Sequence, residues 1–211
     1  MDFPDQIIDE INKIEFKYIK PNNSRVFKYQ IYKKIRKLFF KNDIFNLKKN
    51  KISKLDLDYL KKISLLKDYG HMSTPGVGII INKICRNLKS NQIFLNIGAY
   101  KGFSTVSGMI NTNCEVHSVD NFSEFNAPKK IFFENFQLFK NSKHFFYQED
   151  YEFFFKKWKK KINFYIYDAH HSYKNQYNNL EIAKDFFEKD TLIYIDDLVD
   201  GLIKLMDNEK P

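Results

Sequence analysis

Apolar residues are distributed along this chain with two textures. From about residue 5 to residue 67 they recur every three to four positions, the period of an amphipathic helix. This predicts helices over 5–19, 24–41 and 55–67, separated by Pro21-Asn22-Asn23-Ser24 and by a polar stretch from Asn42 to Ser53. At Tyr69-Gly70-His71-Met72-Ser73-Thr74-Pro75-Gly76 small residues take over, and a helix over about 77–88 follows. Beyond it, short apolar runs at 93–97, 116–119, 145–147, 164–167 and 192–195 alternate with stretches of helical period at 103–111, 127–140, 151–160 and 175–188. Strands of that length alternating with helices, with no hairpin dipeptide between them, predict βαβ units and a parallel sheet covered on both faces. The expected fold is therefore α/β and doubly wound, with about five strands over residues 69–211 and a helical N-terminal extension over 1–68.

Composition supports a packed domain. Of 211 residues, 43% are hydrophobic and 17% aromatic, which is enough to bury a core and excludes disordered or collagen-like classes. The net charge of +9 raises the question of a polyanion partner, but 17 Lys/Arg against 9 Asp/Glu fall in residues 1–70, and the remainder is close to neutral. The basic segment Ile31-Tyr32-Lys33-Lys34-Ile35-Arg36-Lys37-Leu38-Phe39-Phe40 reads as a helix docked by its apolar side with lysines in water, and no nucleic-acid partner is expected. No apolar run approaches the roughly 20 residues of a membrane span, and the opening Met1-Asp2-Phe3-Pro4-Asp5 lacks the pattern of a secretory leader, so a cytoplasmic location is expected. Cys85 and Cys114 are too few for a zinc site and read as buried thiols. His71, His117 and His144 have no metal-ligand spacing and read as structural.

In open parallel sheets, ligands bind beyond the carboxyl ends of the strands, so the residues just after each run matter most. The first run leads into Asn96-Ile97-Gly98-Ala99-Tyr100-Lys101-Gly102-Phe103-Ser104-Thr105, a strand-to-helix turn with two glycines four apart. It is either a plain tight turn or a loop that lets a ligand approach free amides. Asp120 ends the second run 22 residues after Gly98, a distance at which an acid accepts from ribose hydroxyls. It could equally cap the next helix, as could Asn121 or Ser123. Asp150, after the third run, meets an adenine or caps a helix. Asp168 ends the fourth run, in Asp168-Ala169-His170-His171-Ser172-Tyr173, and Asp196-Asp197 end the fifth. Adjacent strands would bring these three carboxylates together, and an all-oxygen set suits Mg²⁺ or Ca²⁺. His170 and His171, being neighbours, should diverge, with at most one facing the site.

These segments, in this order and spacing, resemble the class I S-adenosylmethionine-dependent methyltransferases. Within that superfamily they are most similar to the metal-dependent small-molecule O-methyltransferases of the catechol and macrocin (macrolide-sugar) types. The resemblance spans about residues 69–200 and implies a Rossmann-like fold, S-adenosyl-L-methionine as cofactor and a divalent metal, Mg in the first instance. It implies Met72, Ser73, Asn96, Gly98, Ala99, Tyr100, Gly102, Ser104 and Thr105 around the methionine part of the cofactor. It also implies Asp120 on the ribose with Asn121 beside it, Asp150 near the adenine, Asp168 between cofactor and metal, Asp196 and Asp197 on the metal, and His171 as base. The acceptor implied is a hydroxyl of a small molecule such as a sugar. The chain departs from the family at Asn96, where an acid is usual, at His170, and in having only 14 residues after Asp197. These departures keep open a catalytically silent nucleoside-binding relative; a nucleic-acid methyltransferase and a nicotinamide enzyme are weaker alternatives. A bare fifth strand invites pairing with another chain, so a homodimer is also expected.

Overall fold

The computed structural model describes residues 53–69, 73–124, 126 and 128–196. The helices expected over 5–19 and 24–41 lie outside the described residues, as do Met72 and Asp197.

Within them, helices α1 (Lys54–Ile63) and α2 (Pro75–Asn87) precede strand β1 (Ile93–Ile97), and α3 (Phe103–Met109) leads to β2 (Glu115–Val119). Helix α4 (Lys129–Phe139), β3 (His144–Tyr147), α5 (Tyr151–Lys157), β4 (Ile162–Tyr167), α6 (Tyr173–Ala183), a 3₁₀ turn at Lys184–Phe186 and β5 (Phe187–Ile195) complete it. The five strands form one parallel sheet in the order β3-β2-β1-β4-β5. Order reverses at β1, whose neighbours are β2 on one side and β4 on the other.

Strand alternation sorts the core into two layers. Phe94, Val116, Phe164 and Ile166 face α1, α2, α3 and α4, whereas Leu95, Ile97, Val119, Tyr165 and Tyr167 face α5 and α6. Tyr59, Leu60, Ile63 and Leu66, from the segment expected to be an extension, are buried in the first of these layers. Tyr59 Oη lies 2.8 Å from Ser107 Oγ, and Asn82 Nδ2 donates to the carbonyls of Ser107 and Ile110, so α1 and α2 are fixed to α3. Asp56, nearly buried, joins α1 to α2 through Lys83 (3.1 Å) and Arg86 (2.5 Å). Helix α3 rests close on β1 because Gly108 has no side chain; a Cβ there would lie 2.3 Å from the Phe94 ring.

One expectation is corrected. The last helix was expected to run to 188 and the last strand to begin at 192, yet α6 ends at Ala183 and β5 begins at Phe187. Phe187 already pairs with Ile162, and an irregularity between Ile162 and Phe164 absorbs the polar Glu188-Lys189-Asp190, which are exposed. No described helix is long and apolar enough to cross a membrane.

Candidate functional site

Two cavities open at the carboxyl edge of the sheet, one of about 380 Å³ and one of about 50 Å³. Both are lined by Gly98, Tyr100, Asp168 and Asp196, so they are two lobes of one crevice at the point where strand order reverses. The larger lobe runs past Asp120, Asn121 and Asp150; the smaller is bounded by Ser73, Val77, Ala99 and Ser104.

The crevice floor is the turn after β1. Gly98 donates to the Val119 carbonyl (2.9 Å) while Asp168 donates to that of Ile97 (2.8 Å), so the turn is laced to both neighbouring strands. Gly98 has φ +90°, and a Cβ there would stand 1.9 Å from the Asp168 carbonyl oxygen. Only glycine fits, on conformation and on space. Gly102, with φ +95°, precedes α3 and offers no capping side chain, which leaves the first amides of that helix facing the loop. Tyr100 is also left-handed, at φ +45°.

Asp120 holds this turn. Its Oδ2 accepts from the amides of Ala99 (2.7 Å) and Tyr100 (2.8 Å), and its Oδ1 from that of Phe122 (2.7 Å). An ionised carboxylate has about four acceptor sites, so the three amides leave room for a hydroxyl from a ligand in the larger lobe. Asp150 caps α5, accepting from the Glu152 amide (2.8 Å), and Asn121 Nδ2 reaches it at 3.4 Å. Asn96 is fully buried and lines neither lobe. Thr105 is buried likewise, whereas Ser104 lines the smaller lobe.

Beyond β4 the two histidines diverge as adjacency requires. His171 Nε2 lies 3.8 Å from Asp168 Oδ1, whereas His170 Nε2 points across the crevice to Glu124 at 4.0 Å. The turn is braced by Ser172, which caps α6, and by Tyr167, whose hydroxyl donates to the His170 carbonyl at 3.0 Å. Asp196 Oδ1 accepts from the Tyr194 hydroxyl (2.8 Å), and its carbonyl accepts from Gln176 Nε2 (3.0 Å). Burial pushes the Tyr69 hydroxyl, beside the smaller lobe, up to about 12, and raises that of Tyr167, so both remain neutral donors.

Asp168 and Asp196 thus share both lobes, while Asp197, the third expected metal ligand, lies outside the described residues. Among the described residues no three His, Cys, Asp or Glu side chains gather as a metal-binding group. Glu124, Tyr151, Tyr167 and Tyr194 also line the crevice but were not singled out from the sequence. Tyr167 and Tyr194 stand in strand runs that read as core, and only their position at the strand ends could have marked them.

Residues 95–198 match a family model described as a methyltransferase domain. No curated protein matches the chain. Among solved structures, an SAH-bound methyltransferase from Podospora anserina aligns at TM-score 0.55 and 14% identity, covering 90% of this chain and 77% of that one. An O-methyltransferase from Bacillus cereus in complex with SAH aligns at TM-score 0.53 and 15% identity, covering 86% and 80%. At these identities the likeness is one of fold.

Proposed function

We propose that this chain, whose residues 95–198 match a methyltransferase-domain model, is a class I, S-adenosylmethionine-dependent methyltransferase that transfers the methyl group to a hydroxyl of a small molecule, a sugar being one candidate. The observation that carries this reading is the convergence of Gly98, Asp120, Asp168, His171 and Asp196 on one crevice at the strand-order reversal. The Bacillus cereus neighbour is an O-methyltransferase, and this, with the motif resemblance to the catechol and macrocin types, favours oxygen as the acceptor atom.

In this reading the cofactor spans both lobes. Its nucleoside lies along Asp120, Asn121 and Asp150 in the larger lobe. Its methionine part lies against Ser73, Ala99, Tyr100 and Ser104 in the smaller, next to Gly102 at the head of α3; Met72 is added to this set by the motif resemblance alone. Gly98 admits it to the backbone. Asp168 and Asp196, which line the same crevice, would hold a divalent cation, magnesium by donor chemistry, and the motif resemblance adds Asp197 as a third oxygen ligand. When bound, S-adenosylmethionine supplies an electrophilic methyl group, and a divalent cation orients an acceptor oxygen and lowers its pKa.

The chain's own residues supply positioning and proton removal. An alcohol becomes a good nucleophile only as its proton leaves. His171, whose ring nitrogens can accept and release a proton, is held beside Asp168 at 3.8 Å to accept that proton and pass it to solvent. Its half-exposed position allows the second step.

The test uses S-adenosylmethionine labelled in its methyl group with a panel of catechols, sugars, polyols, amines and activated carbon acids, in Mg²⁺ and in excess chelator. Label transferred to a hydroxyl, and lost in chelator, supports the proposal. Transfer to nitrogen or carbon acceptors alone would overturn the oxygen assignment, and undiminished transfer in chelator would overturn the metal.

A further inference from the structure

Asn96 lies in β1 two residues before Gly98, at 0% exposure. Its side-chain amide faces a closed set of oxygens: the Gly98 carbonyl at 3.0 Å, Thr105 Oγ1 at 3.0 Å, Ser104 Oγ at 3.2 Å and Ser118 Oγ at 3.5 Å. Thr105 and Ser118 are themselves buried and share a hydrogen bond of 2.8 Å. The Gly98 carbonyl can only accept, so it fixes the orientation of the amide with Nδ2 toward the loop. Asn96 Oδ1 points the other way, buried and with no hydrogen-bond partner.

We infer that Asn96 is a positioning residue that holds the cofactor loop from behind, and not a contact to the cofactor. This deepens the cofactor reading above and rests on it. The loop is gripped from two sides with opposite polarity. Asp120 accepts from the amides of Ala99 and Tyr100, and Asn96 donates to the carbonyl of Gly98 while tying it to the start of α3. A donor is required at this position. A carboxylate would set a buried negative oxygen against the Gly98 carbonyl with nothing to donate, although an acid is the usual residue in the family the sequence resembles. An asparagine at this position is therefore a change of role, from charge toward the ligand to a brace within the protein.

The inference predicts a result opposite to simple family logic. Asn96→Asp, which restores the usual acid, should weaken binding of S-adenosylhomocysteine at least tenfold at pH 8.0 by calorimetry. As the pH falls to 5.5 the buried carboxyl takes up a proton and regains a donor for the Gly98 carbonyl. The ratio of variant to wild-type dissociation constants should then return to within threefold of one. The groups facing it from α3, β2 and the loop are Ser104, Thr105, Ser118 and the Gly98 carbonyl, none of which titrates in this range. A merely structural loss, as in Asn96→Ala, gives a ratio that does not recover with acid. Equal or tighter binding by Asn96→Asp at pH 8.0, or a ratio independent of pH, overturns the inference.

If Asn96→Asp does not fold, the wild type still decides. The Asn96 side-chain amide protons should exchange with solvent at least a hundredfold more slowly than those of exposed Asn121, and equal rates overturn the brace. Failure of the wild type to bind S-adenosylhomocysteine counts against the cofactor reading instead, and leaves the exchange measurement to judge Asn96.

Discussion

Gly98 and Gly102 form a matched pair for testing what the turn after β1 demands. Their φ angles are +90° and +95°, so replacing either with alanine incurs a similar left-handed penalty, roughly 1–2 kcal/mol. Their surroundings differ. A Cβ on Gly102 would lie 3.3 Å from the edge of the Phe132 ring, a side chain that can shift slightly. A Cβ on Gly98 would lie 1.9 Å from the Asp168 carbonyl oxygen and 2.5 Å from its carbon, which belong to the backbone leaving β4. Overpacking against an element that cannot rotate away adds roughly 1–3 kcal/mol. Gly98→Ala should therefore destabilise by about 2–5 kcal/mol, against about 1–2 kcal/mol for Gly102→Ala. Because relief requires separating the loop from Asp168, Gly98→Ala should also weaken S-adenosylhomocysteine binding well beyond the effect of Gly102→Ala. Urea denaturation of both variants measures the first difference and calorimetry the second. Equal loss of stability in the two would show that the contact with Asp168 does not constrain the turn.

Other perturbations test separate parts of the account. Asp120→Ala leaves three backbone amides without their charged acceptor and should cost about 2–4 kcal/mol in urea denaturation, at roughly 1.5–3 kcal/mol for each such bond less what water restores, together with cofactor affinity. Asp56→Asn takes from the largely buried Arg86 its carboxylate partner and should destabilise by about 3–5 kcal/mol, while Asp58→Asn on the exposed side of α1 should be nearly neutral. His144 is buried, and desolvation lowers its pKa from 6.5 to about 4. Below pH 6.5 the unfolded chain takes up a proton that the folded chain refuses, so stability present at pH 7 should fall by about 3 kcal/mol between pH 6.5 and pH 4. Urea denaturation at pH 7.0 and 4.5 checks this, and His144→Asn should flatten the slope. Once an acceptor is known, His171→Ala should lower turnover on the order of 10²–10⁴-fold with cofactor affinity unchanged.

The sheet was legible because each strand is a short apolar run between helices, and burial on both faces leaves that pattern no competing reading. Position after each strand likewise marked Gly98, Asp120, Asp168 and Asp196, since topology alone brings strand ends together. The start of β5 was not legible. Glu188, Lys189 and Asp190 are polar because they sit in the irregular outer half of the last described strand, and their sequence fits a helix end equally well. Nor were the local partners readable. Whether Asp120 serves a ligand or the backbone depends on the positive φ of Tyr100 and Phe122, which residue type does not announce. The inward turn of Asn96 depends on Ser104, Thr105 and Ser118 arriving from two other elements. Such contacts are set by packing, and a linear pattern records only that these residues are small and polar.

The central claim is that the crevice between β1, β2 and β4 takes up the methyl donor. Titration of the wild-type chain with S-adenosylmethionine and S-adenosylhomocysteine by calorimetry, repeated on Asp120→Ala, measures it without knowledge of the acceptor. The account predicts saturable binding of both at one site per chain, weakened at least tenfold in the variant, consistent with a loss of about 1.5–3 kcal/mol from a charged acceptor. Absence of binding by the wild type at millimolar ligand, or equal affinity in Asp120→Ala, would contradict it.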